Sequence, residues 1–238
     1  MLENQAVKPL MGVLQPRLTP VVVCASCGEE NPDRARFCLA CGAELAPTPR
    51  ERFTATVTLL FSDIVGSTAL GTRLDPEVLA HVTGAYYETM RPIVEHREGR
   101  VIKFIGDALV AVWGLQPGRD DDALRACAAA AEMRDRLEPM NDELERTRGV
   151  RIGARAGITT GPVAGEGDNL VAGDTSNVAS SVQGAAEPGE VLLAEMTYDL
   201  VRDAVEVDAS SEVEIKGKPG LLRVYRLASV LREPARNG

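Results

Sequence analysis

Apolar and polar positions alternate between a strand period and a helix period along the chain. Val57 to Phe61 is a short apolar run of β-formers, the pattern of a buried strand. Ser67 and Thr68 follow as N-caps for a short helix over Ala69 to Leu74. Leu79, Val82, Tyr86, Met90 and Ile93 then recur at spacings of three and four, which predicts a helix from Pro76 to His96 with one apolar face. Two β-rich runs, Val101 to Ile105 and Ala108 to Trp113, flank Gly106-Asp107 and predict a hairpin. Asp120 to Asp122 open an alanine-rich helix to Thr147, with Ala123, Cys127, Ala130, Met133 and Leu137 on one face. Val150 to Thr160 reads as a strand and Gly161 to Asn169 as a glycine-rich loop. A helix over Asp174 to Ala185, a strand over Glu190 to Ala194 and a short helix over Glu195 to Val201 come next. Val205 to Val207, Val213 to Ile215 and Leu222 to Leu227 read as strands. The elements mix without strict βαβ alternation, so the expected class is an α+β sandwich.

A length of 238 residues holds one full domain and something small. The small part is Cys24 to Leu45, where Cys24 and Cys27 form one CxxC and Cys38 and Cys41 another. Each second cysteine precedes a glycine, which fits a tight knuckle. Four thiolates at this spacing suit tetrahedral Zn²⁺, closed and therefore structural, and the segment resembles a zinc ribbon. Residues 1–23 read as a flexible tail, 46–53 as a proline-bearing linker, 54–230 as the large domain and 231–238 as a C-terminal tail. The net charge of −9 argues against a general nucleic-acid binder, and the acidic balance of Glu29, Glu30, Asp33 and Glu44 over Arg34 and Arg36 makes a protein partner the better expectation for the ribbon. No apolar run reaches the length of a membrane span and no signal-peptide pattern is seen, so a cytoplasmic location is expected.

The chemistry concentrates in two short stretches. Asp63 ends the apolar run of VTLLFSDIVGST, ahead of Gly66. A carboxylate there offers hard oxygen to Mg²⁺ or Mn²⁺, and a helix start offers N–H groups to an anion. Asp107 sits at the hairpin tip of KFIGDALVAVWG. Together these motifs resemble the catalytic domain of class III nucleotidyl cyclases, over roughly Thr54 to Leu227.

The resemblance implies a ferredoxin-like βαββαβ core with extra C-terminal strands. It implies two Mg²⁺ or Mn²⁺ ions held by Asp63 and Asp107, with the backbone carbonyl of Ile64 as a further ligand. Gly66, Ser67 and Thr68 belong to its nucleotide-binding turn. Lys103 matches the purine-reading lysine, Arg155 and Lys216 match phosphate-binding cations, and Asn177 matches the asparagine that positions the ribose. Two positions depart from the family pattern. Ser181 stands where an arginine usually stabilises the α-phosphorus, and Leu170 stands where a polar side chain helps to read the base. The implied activity is conversion of ATP to 3′,5′-cAMP and pyrophosphate by a head-to-tail homodimer, weakened by Ser181. The alternatives are a pseudo-cyclase that binds nucleotide or regulates a complete partner, and a zinc-ribbon adaptor.

Overall fold

In the computed structural model, which describes residues 21–32, 35–45, 52–115, 118–166, 169–171, 173–217 and 219–234, the chain divides into two units, Met1–Glu51 and Arg52–Gly238. The first carries strands β1 (Val21–Val23) and β2 (Glu30–Pro32), antiparallel with Val22 opposite Asn31. Strand β1 falls within the stretch expected as a tail, where three consecutive β-branched valines favour extended backbone. The buried Asn31 fastens this unit. Its amide donates to the Glu29 carbonyl at 2.8 Å and accepts from the Leu39 N–H at 2.8 Å.

The second unit runs β3 (Arg52–Val65), α1 (Ser67–Arg73), α2 (Pro76–His96), β4 (Arg100–Ile105), β5 (Ala108–Trp113), α3 (Asp122–Arg148) and β6 (Gly153–Glu166). It continues with β7 (Asn169–Val171), α4 (Asp174–Ala185), β8 (Val191–Ala194), α5 (Glu195–Val201), β9 (Val205–Glu214) and β10 (Leu221–Val230). The sheet order is β4-β5-β3-β6-β8-β10-β9, with β7 paired to β6 off this path. Its first four strands, with α2 and α3 as crossovers, make the expected βαββαβ core, and β8 to β10 are the expected additions.

Alternation along β3 divides the unit into layers. Leu60 and Ile64 pack with Tyr86 and Met90 of α2 and with Cys127, Ala130 and Met133 of α3. Val57 and Leu59 face the other way, with Val163 and Ala179 of α4. Burial pushes the Cys127 thiol up to about 12, as befits a small apolar core residue. Among the described residues no helix is long and apolar enough to cross a membrane.

Three local expectations change. Residues Gly161 to Glu166 continue β6 rather than forming a loop, and β7 folds back on them. A Cβ on Gly157 would lie 2.3 Å from the Gln183 nitrogen, and one on Gly161 would lie 2.8 Å from Thr175 Oγ1. Those glycines therefore mark where α4 presses on the sheet, not where the chain turns. Strand β9 is one element, because the stretch Ala209 to Glu212 pairs with β10, after a register shift at Asp208. Helix α1 begins at Ser67, and Gly66 takes the cap position at φ 71° with no side-chain cap.

Candidate active site

Asp63 stands where β3 outruns one neighbour. The β3–β5 ladder ends at Ser62↔Leu109, whereas the β3–β6 ladder continues through Asp63↔Arg155 to Val65↔Gly153. Asp63, Ile64 and Val65 therefore have a strand partner on one side only. Asp107 lies in the turn between β4 and β5, two residues before Leu109, the last β5 partner of β3. Both aspartates are half-buried; Asp63 borders the notch left beside β3 where β5 ends, Asp107 lies in the turn that precedes β5, and both are near enough to Tyr86 for their charges to raise its phenol.

The carboxylate of Asp63 is already engaged. Its Oδ1 accepts from Arg155 Nε at 3.1 Å, directly across the ladder. Arg155 Nη1 also donates to the carbonyls of Gly184 at 2.9 Å and Ala186 at 3.2 Å, at the end of α4. The guanidinium thus ties β3 to α4 on the sheet face that carries Leu59. From the opposite face, Ser62 Oγ donates to the Arg155 carbonyl at 2.9 Å and lies 2.7 Å from the Tyr86 hydroxyl. Sequence reading placed Tyr86 only as part of an apolar stripe. The available signal was Ser62, a polar residue inside the apolar run directly before Asp63.

A second group forms around α4. Thr175, Ala179, Val182 and Gln183 are its buried face, which leaves Asn177 exposed and Ser181 half-buried on the outer side. Ser181 Oγ donates to the Asn177 carbonyl at 2.9 Å and accepts from the Lys216 backbone N–H at 3.3 Å. Ser180, Ser181, Glu214, Lys216 and Gly217 border an open groove of about 890 Å³. The Lys216 side chain is exposed beside it.

Lys103 is exposed on β4, just after a bulge between Val101 and Lys103. Its neighbour Phe104 turns inward to Tyr87, with ring centroids 4.0 Å apart, so Lys103 faces the other side of the sheet. Among the described residues, the hydrogen bonds that join Asp63 to Arg155 and Ser181 to Lys216 do not link one group to the other. Both groups involve α4, Arg155 through the Gly184 and Ala186 carbonyls at its end and Ser181 from within the helix. The side chains of Thr68 and Leu170 lie outside the described residues, while Gly66 and Ser67 form the first turn of α1.

Half-buried carboxylates such as those of Asp63 and Asp107 fit Mg²⁺ or Mn²⁺, which take oxygen ligands and keep water or substrate phosphate as the remainder. The cysteine cluster fits a different ion. Cys24, Cys27, Cys38 and Cys41 have Sγ atoms within 4.8 Å of one another, with Cys24–Cys41 at 3.6 Å and Cys27–Cys38 at 3.5 Å. Zn–S bonds of about 2.3 Å in a tetrahedron require S···S spacings near these values.

The two knuckles share one geometry. Cys24 N–H donates to the Glu29 carbonyl at 2.9 Å and Gly28 N–H to Cys24 at 2.8 Å. Cys38 and Gly42 repeat this with Ala43 and Cys38 at 2.8 and 2.9 Å. Gly28 and Gly42 take φ of 79° and 74°, which a side chain would strain. Backbone N–H groups of Cys41 and Ala40 hold the Cys38 thiol down to about 6, and that of Ser26 lowers Cys24. Cys27, although the Glu29 N–H lowers it, is pushed up to about 12 by the adjoining Cys41 and Cys38 sulfurs. Proton sharing of this kind is what a metal resolves. One zinc per chain is expected by elemental analysis. Chelation should abolish amide protection over β1 and β2, since structural zinc supplies about 10–16 kcal/mol in units this small.

Comparison with known proteins gives two family matches. Residues 50–229 match the family model of the adenylate and guanylate cyclase catalytic domain, and residues 23–45 match a zinc-ribbon domain. Adenylate cyclase 1 of Rhizobium meliloti (strain 1021) is 27% identical over 192 residues, 77% of this chain and 29% of its own length. Receptor-type guanylate cyclase gcy-13 of Caenorhabditis elegans is 30% identical over 189 residues, 76% of this chain and 18% of its own length. The chain thus spans less than a third of either relative. Among solved structures, the adenylyl cyclase CyaB from P. aeruginosa superposes with a TM-score of 0.71 at 26% identity, covering 78% of this chain and 100% of that one. The guanylyl cyclase Cya2 gives a TM-score of 0.71 at 25% identity, with 77% and 95% covered.

Proposed function

Because the chain belongs to the adenylate and guanylate cyclase catalytic domain family, with a zinc ribbon ahead of that domain, we propose that it converts ATP to 3′,5′-cAMP and pyrophosphate at sites shared by two copies in head-to-tail contact. The observation that carries this reading is the pairing of Asp63 with Arg155 where β3 outruns β5, with Asp107 in the turn that leads into β5. Cyclase domains work as dimers on a nucleoside triphosphate, and a chain that carries both sets of residues suits a homodimer with two equivalent sites. A two-fold contact that joins one copy's Asp63 group to the other's Ser181 group completes two equivalent sites. Two divalent ions bound at Asp63, Asp107 and the Ile64 carbonyl supply charge neutralisation at the ribose 3′-oxygen and at the phosphates.

The chain's own side chains do the rest. Arg155 exchanges its hold on Asp63 for the terminal phosphates. Lys216, at the groove mouth, takes a phosphate from the other side. Gly66 and Ser67 let backbone approach the phosphates at the start of α1, the turn that also includes Thr68. Asn177, exposed on α4, holds the ribose. Lys103 donates to the purine, and this supports ATP over GTP; the aliphatic Leu170 offers no side-chain hydrogen bond to the base. Zn²⁺ holds the ribbon, whose surface serves a protein contact, and the chain works without nucleic acid or membrane, in the cytoplasm.

Product formation from ATP and from GTP, each with Mn²⁺ and then Mg²⁺, tests the proposal. cAMP in clear excess over cGMP is expected. The reverse preference would keep the cyclase and overturn the substrate. Absence of both products would favour the second reading, a nucleotide-binding pseudo-cyclase. One observation supports that reading: Ser181 spends its hydroxyl on Asn177 and Lys216 backbone and brings no cation.

A further inference from the structure

Two consecutive tyrosines on α2 reach the two halves of the metal notch. Ser62 Oγ has one proton, and it goes to the Arg155 carbonyl at 2.9 Å. The Tyr86 hydroxyl, 2.7 Å away, must therefore donate to Ser62. This chain of donors crosses β3 from α2 to β6 immediately before Asp63, and it grips the backbone of the residue that pairs with Asp63. Tyr86 is fully buried, and burial, with the nearby Asp63 and Asp107 charges, raises its phenol and keeps it a donor.

Tyr87 does the corresponding work at the hairpin. Its hydroxyl donates to the Gly106 carbonyl, the residue before Asp107. Its ring packs on Phe104 of the same hairpin, 4.0 Å between centroids, and the Arg91 guanidinium lies over the Phe104 ring, 4.9 Å from its centroid. Gly106 itself takes φ 63°, so the turn has a defined shape for Tyr87 to hold. Adjacent positions on one helix are thereby fixed to the backbone beside each carboxylate. The helix acts as a ruler between β3 and the β4–β5 turn, which share no ladder pair beyond Ser62↔Leu109.

We propose that Tyr86 and Tyr87 are paired positioning residues that set the separation of the Asp63 and Asp107 carboxylates, and hence the affinity of the notch for divalent metal. The inference rests on the cyclase reading for the identity of the notch. Neither hydroxyl touches substrate, and each acts through one backbone carbonyl or one serine.

Tyr86→Phe and Tyr87→Phe in the full chain keep the rings and remove only the donors. Mn²⁺ binding is followed by electron paramagnetic resonance with an ATP analogue lacking the 3′-hydroxyl, and initial rates are measured against Mn²⁺ concentration. Each variant is expected to raise the half-saturating Mn²⁺ about three- to tenfold, the range of one lost hydrogen bond, with most of the rate regained at saturating metal. Thermal melting sets the working temperature for Tyr86→Phe, which leaves buried Ser62 short of a donor. A wild type that binds Mn²⁺ and makes product, with either variant unshifted in half-saturation, overturns the pair alone. A wild type that does neither overturns the cyclase reading together with the pair.

Discussion

Asp63→Ala is expected to lower cyclic-nucleotide formation by about three powers of ten or more, with little loss of fold. Several kcal/mol of transition-state stabilisation come from a catalytic metal, and each 1.36 kcal/mol is tenfold in rate. Alanine removes the carboxylate at the notch and also releases Arg155 from its 3.1 Å contact. The guanidinium keeps the Gly184 and Ala186 carbonyls, so it is not left unpaired. The lost ion pair is partly exposed and amounts to about 1 kcal/mol of stability at most. The expected signature is therefore a normal melting curve with almost no product. Asp63→Asn separates the two roles, because its amide oxygen can still accept from Arg155 while its charge is gone. If the metal role dominates, Asn and Ala variants lose activity equally. An Asp63→Ala variant that cyclises at the wild-type rate would place the chemistry elsewhere.

The same residues show what the sequence could and could not reveal. The apolar run before Asp63, the Gly106-Asp107 turn and the period of α2 were legible because each is a local pattern with one physical solution. The cysteine knuckles were legible for the same reason. The glycines of β6 misled, since glycine marks both turns and close approach. Only the position of α4, set by contacts far apart in sequence, tells Gly161 from a loop residue. The polar centre of β9 lacks the apolar signal of a strand and owes its form to pairing with β10. Arg155 and Asp63 meet through strand register, which no spacing in the sequence announces. Tyr86 was legible only as part of the apolar face of α2 and Tyr87 not at all, because helical period describes a ring and says nothing of where its hydroxyl goes.

Ser181→Arg is expected to raise turnover by about two to three powers of ten, the usual effect of one charged donor at a developing phosphoryl charge. The structure has room for it. Ser181 opens on a groove of about 890 Å³, and Lys216, whose N–H it accepts, is exposed, so water can take over that hydrogen bond. The Asn177 carbonyl loses only an extra partner, since serine there bonds back along its own helix. Arginine is also the better helix former. Because the new donor acts on charge that develops in the transition state, kcat should rise while KM changes little. Ser181→Gln fills the same space without charge and should leave turnover near the wild-type value. A rise with both substitutions would mean that the groove needed filling rather than a cation. Wild-type activity that neither substitution improves would mean that Lys216 or Arg155 already meets the α-phosphoryl charge, and that serine at this position is no defect.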